Sequence, residues 1–132
     1  MKKFMVADLI KEISNIVFLD IDDTIVTGYW KENGNQPIQK VISFVNSLDK
    51  EVIIVTGRSE QKRRETEDLL NSIGIKYSNI YMNPYPENES NKHKEEIAEM
   101  YQNRVFLAID DNENVRSIYR KYGIKAIDPV SI

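Results

Sequence analysis

Three near-continuous apolar runs punctuate the chain, and each stops at a polar residue able to do chemistry. Ile16-Val17-Phe18-Leu19 meets Asp20, Val52-Ile53-Ile54-Val55 meets Thr56, and Val105-Phe106-Leu107-Ala108-Ile109 meets Asp110. Runs of this length predict strands of a parallel sheet, buried on both faces. They place strands at 16–21, 51–55 and 104–109. Between them the period becomes helical. Ile38, Val41, Ile42, Val45 and Leu48 share one face of a helix that Pro37 opens and that runs to about residue 49. Ser59 can cap the next helix, which Leu69, Leu70 and Ile73 anchor and Gly74 ends as a left-handed C′ residue. A third strand is expected within 75–81, and a loop over 83–89 from Pro84, Pro86 and their polar neighbours. A helix over 91–102 turns Ile97 and Tyr101 inward. Another over 112–121 turns Val115, Ile118 and Tyr119 inward and ends at Gly123, before a last strand at 124–127. Near the start, Met5, Val6, Leu9, Ile10 and Ile13 predict an amphipathic helix over 3–13, packed on the sheet or its first helix. Strands alternating with helices predict an α/β fold: a three-layer, doubly wound parallel sheet, one domain over 1–132 with its core at about 16–130.

In such sheets ligands bind outside the carboxyl ends of the strands. Asp20, Thr56 and Asp110 are therefore expected along one rim. Within Asp20-Ile21-Asp22-Asp23-Thr24, residues two apart in an extended segment project to the same side, about 6.6 Å apart. Asp20 and Asp22 can thus face one substrate, one carboxylate relieved by a cation and the other holding a proton, as nucleophile plus general acid require. Asp23 is read as a turn residue. If strands one and four are neighbours, Asp20 and Asp110 converge on a shared cation. Asp111 either joins them or, like Asn112, caps the following helix. Thr56-Gly57-Arg58 is either a plain turn or a phosphate cradle at a helix start. Lys94 lies three residues before Ile97 and seven before Tyr101, so it points with the apolar face. Lys92 and His93 are expected in solvent.

Composition narrows the chemistry. The 132 residues contain no cysteine and a single histidine, which excludes disulfides and any zinc site built from Cys and His. If the protein is an enzyme, carboxylates must carry the chemistry, and their natural partner is a hard, oxygen-seeking cation such as Mg²⁺. The absence of cysteine fits a cytoplasmic location. Lys2 and Lys3 resemble the start of a signal peptide, but Asp8, Lys11 and Glu12 interrupt the apolar stretch, and no run can span a membrane. A net charge of −3 gives no support for strong nucleic-acid binding. Arg58, Lys62, Arg63 and Arg64 are interspersed with Glu60, Glu65, Glu67 and Asp68, a solvated face.

The order Asp-x-Asp-x-Thr, a strand ending in Thr, a Lys, and a strand ending in Asp-Asp resembles the haloacid dehalogenase superfamily of phosphotransferases, from Asp20 to Asp111 and by its αβ pattern to about Val130. The resemblance implies a Mg²⁺-dependent phosphomonoester hydrolase. It makes Asp20 the nucleophile that forms an aspartyl-phosphate and Asp22 the acid, then the base. It gives Thr56 and Lys94 the transferring phosphoryl group, and Asp20, Asp22 (by its backbone carbonyl) and Asp110 the metal, with Asp111 assisting. Thr24, Gly57 and Arg58 fall to substrate binding. Within the superfamily, Thr56-Gly57-Arg58, Lys94-Glu95-Glu96-Ile97, Leu107-Ala108-Ile109-Asp110-Asp111 and the stretch Tyr119–Ile124 resemble the phosphatase domain of bacteriophage polynucleotide kinase-phosphatases. That domain removes 3′-phosphates from nucleic-acid ends. Asp23 departs from the Gly common after the second Asp, and the Arg58-to-Lys94 spacing is shorter.

Residues 25–36 and 82–90 are too short for a cap domain, so the site is expected to be open. It would admit a nucleic-acid end, a nucleotide or a small phosphate ester such as a sugar phosphate. Tyr29 and Trp30 either stack on a base or pack over their own loop. A receiver-like phosphoacceptor module also uses Asp, Mg²⁺, Thr and Lys on a doubly wound sheet. Its motif order differs, and it has no counterpart to Asp22.

Overall fold

Five strands form one parallel sheet in the computed structural model, which describes residues 14–132; the helix expected over 3–13 lies outside the described residues. The strands β1 (Ile16–Leu19), β2 (Glu51–Ser59), β3 (Asn79–Asn83), β4 (Val105–Ile109) and β5 (Ala126–Ile127) lie in the order β3-β2-β1-β4-β5. Helices α1 (Gln39–Ser47), α2 (Arg63–Ser72), α3 (Ser90–Tyr101) and α4 (Glu113–Lys121) connect them. The chain leaves β1 toward β2 and β3, then crosses back to β4 on the other side. The carboxyl end of β1 is therefore a topological switch point, where a crevice opens.

Alternation along each strand divides the core in two. Val17, Leu19, Val52, Ile54, Leu107 and Ile109 pack with Val41, Ile42 and Val45 of α1 and Leu70 of α2. Phe18, Ile53, Val55 and Ala108 pack on the other face with Ile97 of α3 and Val115 and Tyr119 of α4. These two packed faces make the three layers expected from the sequence, and no additional domain interrupts them among the described residues. Gly74 and Gly123, both at φ 75°, end α2 and α4 in the left-handed conformation that suits glycine.

Several boundaries differ from the expectation, each for a local reason. Val105 pairs with Ile16, but Leu107 pairs with Val17, so Phe106 is the extra residue of a bulge. Phe106 is 43% exposed, under the ammonium of Lys50, and is not a core residue. β2 does not stop at Val55. It runs through Thr56-Gly57-Arg58 and, after a register shift, pairs Ser59 with Asn83, because β3 continues beside it to Asn83 rather than ending at 81. Ser59 accepts from the Gln61 N–H and caps the 3-10 turn that leads into α2. Pro37 lies before the helix: it bridges Val26 on an antiparallel return, and Ile38 is the N-cap. The span 25–36 is thus a folded-back hairpin, with Ile25 and Val26 fully buried at its base.

Candidate active site

Three carboxylates and a lysine meet at the switch point. The Asp20 N–H donates to the Ile109 carbonyl, which extends the β1–β4 pairing by one residue and brings Asp20 beside Asp110. Lys94 enters from the first turns of α3. Its Nζ donates to Asp20 Oδ1 at 2.9 Å and to Asp110 Oδ2 at 2.6 Å. All three residues are buried. Burial alone would lower the lysine pKa, but the Asp110 and Asp20 charges outweigh it and hold the ammonium well above its ordinary value. The other oxygen of Asp20 accepts from Thr24 Oγ1 at 2.9 Å, and Asp110 Oδ1 accepts from the Asn112 N–H at 2.9 Å. Asp20 is fixed by two donors and Asp110 by two, so neither carboxylate is free to rotate.

Asp22 stands across the cleft in a different network. Its two oxygens accept Arg58 Nε at 2.9 Å and Nη2 at 2.8 Å, and Oδ1 also accepts the Tyr29 N–H at 3.0 Å. The guanidinium additionally donates to Asn35 Oδ1 at 2.8 Å. To hand a proton to a substrate, Asp22 must first exchange this fork. Asp23 is the turn residue expected: at φ 59° it occupies the left-handed region, which explains why Gly is common at this place and why Asp is among the few side chains tolerated there. Burial works to raise its pKa, but hydrogen bonds from Lys31 and the Gly28 N–H outweigh that and lower it.

Asp111 completes the acidic group. One carboxylate oxygen from each of Asp20, Asp110 and Asp111 lies within 4.8 Å of the other two. Asn112, not Asp111, is the N-cap of α4, its Oδ1 accepting from the Val115 N–H at 3.1 Å. Asp111 is exposed overall, but its carboxyl faces into the cleft. Loss of solvent there, followed by its contact with Asp20, pushes it up to about 7. Burial first, then the Asp20 charge, pushes Asp110 up to about 6. Fully ionised, three carboxylates against one ammonium would leave two negative charges in a small space. All-oxygen donors with that charge fit a hard divalent cation such as Mg²⁺.

Asp20, Asp22, Gly57, Arg58, Lys94, Asp110 and Asp111 all border one open cleft of about 590 Å³. Thr24 and Thr56 are fully buried beside it. Thr24 donates to Asp20, and Thr56 Oγ1 accepts the Arg58 N–H at 3.0 Å. Gly57 lets the strand pass close to α3, since a Cβ there would lie 3.2 Å from that of Ser90. His93 is not in solvent. It is 3% exposed, with Nε2 3.2 Å from the Tyr81 carbonyl oxygen, because it stands four residues before Ile97 and shares the broad buried face of a helix lying on a sheet. Two contributors had no sequence signal: Asn35, which braces Arg58, and Arg116, whose Nη1 donates to the Asp110 carbonyl at 3.0 Å.

Carboxylates and a lysine gathered at the switch point of a doubly wound sheet agree with the resemblance to haloacid dehalogenase-type phosphatases. The family model for the polynucleotide kinase PNKP phosphatase domain matches residues 14–129, and the chain belongs to that family. Among solved structures, a chain of the Pnkp1/Rnl/Hen1 RNA repair complex superimposes with a TM-score of 0.67 at 21% identity over 86% of this chain. The present chain spans 41% of that protein's length. The core domain of a putative phosphoglycolate phosphatase from Streptococcus pneumoniae TIGR4 gives a TM-score of 0.52 at 15% identity, over 87% of this chain and 79% of its own. Both likenesses concern the fold. No curated protein matches the chain. Among the described residues no helix is long and apolar enough to cross a membrane.

Proposed function

We propose that the chain is a Mg²⁺-dependent phosphomonoester hydrolase that works through an aspartyl-phosphate on Asp20, with nucleic-acid 3′-phosphate ends or nucleotides as substrates. The observation that carries this reading is the lysine bridge: Lys94 Nζ holds Asp20 and Asp110 together at 2.9 and 2.6 Å, at the rim of an open cleft. Asp20, Asp110 and Asp111, with the Asp22 carbonyl, would hold the cation. When bound it would supply positive charge against the phosphoryl oxygens.

The chain's own residues do the rest. An Asp20 carboxylate oxygen attacks phosphorus, and the ester P–O bond breaks. Once Arg58 has left the Asp22 carboxylate for the incoming phosphate, Asp22 takes up a proton from solvent and passes it to the leaving oxygen. Asp22 then takes a proton from water as the water oxygen attacks the acyl phosphate, releasing inorganic phosphate and restoring Asp20. A carboxylate nucleophile divides one hard displacement into two easier ones. The transition state spreads charge over the equatorial oxygens, which Lys94 and Arg58 offset. The nucleic-acid preference is supported by family membership and by the open cleft, since no cap closes over it among the described residues.

The test is phosphate release from p-nitrophenyl phosphate, nucleoside monophosphates and a 3′-phosphorylated oligonucleotide, with Mg²⁺ and with EDTA, for wild type, Asp20→Asn and Asp22→Asn. We expect release to need Mg²⁺ and Asp20, and the oligonucleotide to be the best substrate. Release unaffected by Asp20→Asn removes the nucleophile. Equal rates on all substrates remove the nucleic-acid preference.

A further inference from the structure

We propose that Trp30 is a stacking platform for the nucleobase of the substrate, the residue by which this site discriminates base-bearing phosphomonoesters from other phosphate esters. The inference rests on the phosphatase reading above and assigns its substrate preference to one side chain. Trp30 is 63% exposed, yet it lines the same cleft as Asp20, Lys94 and Asp110. Single exposed apolar residues are ordinary. An exposed indole fixed from behind is not.

One face of the indole is covered by Gly28. A Cβ built there would lie 2.6, 2.8 and 2.9 Å from three adjoining atoms of the six-membered ring. Three near-equal distances put that point over the ring face; an approach from the edge would leave the flanking atoms much farther away. Tyr29 meets the indole edge-to-face, with centroids 5.3 Å apart and planes at 81°. Tyr29 is itself pinned. Its N–H donates to Asp22, its hydroxyl donates to Glu87, and Lys62 Nζ lies 3.6 Å from its ring centroid. The indole is therefore backed by Gly28 on one face and held by a T-shaped contact with Tyr29, a residue bonded to Asp22, while 63% of Trp30 stays exposed to the cleft. A flat, ordered, half-covered ring beside a phosphate site is what a base needs for stacking, and little entropy is lost when the base arrives.

Charge favours the same occupant. A protein that tracks nucleic-acid backbone needs a basic groove. Here Arg58 is held by Asp22 and Asn35 until the reacting phosphate draws it away, Lys62 lies on Tyr29, and the chain carries −3 overall. Recognition then falls on the terminal nucleotide: its base on Trp30, its phosphate at Asp20.

Trp30 is the sole tryptophan, so its fluorescence reads the contact directly. Asp20→Asn protein with Mg²⁺ is titrated with a 3′-phosphorylated dinucleotide, a nucleoside 3′-monophosphate, a nucleoside 5′-monophosphate and glycerol phosphate. Saturable quenching by the base-bearing esters and none by glycerol phosphate is expected. Tighter quenching by the dinucleotide points to a chain end, and equal quenching to free nucleotides. Quenching by glycerol phosphate to the same depth, or by none of the four, overturns the proposal. In the active enzyme, Trp30→Ala should lower the ratio of kcat/KM for the dinucleotide over glycerol phosphate by about tenfold or more, and Trp30→Phe should restore most of it. A ratio held within about twofold in both variants also overturns the proposal. If the wild type hydrolyses none of these esters, the phosphatase reading fails, while the fluorescence titration still decides the platform.

Discussion

Replacing Lys94 by Met deletes the ammonium that bridges Asp20 and Asp110 while keeping the length of the side chain. At 2.9 and 2.6 Å, and an effective dielectric of about 20, the ammonium is attracted to each carboxylate by roughly 6 kcal/mol. Desolvation of three buried ions offsets most of that, so the intact network adds little to stability. Removing one member is another matter. It strands two carboxylates, 7% and 1% exposed, facing each other without compensation. Breaking buried pairs in this way costs about 3–5 kcal/mol. The stranded carboxyls escape by taking up protons. The folded variant then binds more protons than the unfolded chain, and its stability falls as pH rises. Urea unfolding in a chelator should show Lys94→Met less stable by about 3–5 kcal/mol near pH 8 and by clearly less near pH 5.5. A variant within about 1 kcal/mol of wild type near pH 8 refutes the bridge. Phosphatase turnover should fall by a factor of about 10² or more, because the proposed mechanism uses Lys94 to offset charge on the phosphoryl oxygens.

Asp110 at about 6 and Asp111 at about 7 are raised above the ordinary carboxylate value, so protons held by the folded, metal-free protein must leave before both can ligate a cation. Mg²⁺ should bind more tightly as pH rises through that window and release protons, which calorimetry near pH 6.5 in two buffers of different ionisation heat measures; binding without proton release contradicts this. Burial depresses His93 below its usual 6.5, with the nearby Lys94 charge adding to the effect against a hydrogen bond to Tyr81. Its contribution to stability is therefore intact above 6.5 and is lost as pH falls through the lower folded value. His93→Gln should flatten the dependence of the urea midpoint on pH in that acid range, and an unchanged slope tells against a buried, depressed imidazole. Asn112→Ala removes the cap of α4 and should cost about 1 kcal/mol in the same unfolding assay, with a null effect contradicting the cap.

Much of the site was legible because burial and chemistry coincide at strand ends. A buried parallel strand needs an apolar run, and its end is where side chains first reach solvent. Asp20 and Asp110 could therefore be located by where the runs stop. Lys94 was legible from its register with Ile97. The same logic failed where tertiary contacts override the local pattern. Phe106 belongs to an apolar run, yet a bulge lets it out, because Val105 and Leu107 already supply the two faces. His93 shares a face with Ile97 that only the width of the sheet beneath α3 reveals. Thr56-Gly57-Arg58 reads in the sequence as a turn or a phosphate cradle, yet it is strand, because β3 continues alongside β2. The Arg58–Asp22 fork joins residues 36 apart with no periodicity to announce it. The indole of Trp30 rests on Gly28 through a turn whose geometry the residue types alone do not specify.

The nucleophile can be caught directly. Wild-type protein mixed with substrate and Mg²⁺, quenched in acid within one turnover, is digested and its peptides weighed. The peptide containing Asp20 should carry one phosphoryl group, labile to hydroxylamine and absent from Asp20→Asn. Turnover proceeding at full rate with no phosphoryl group ever found on Asp20, or with one found on another residue, contradicts the assignment.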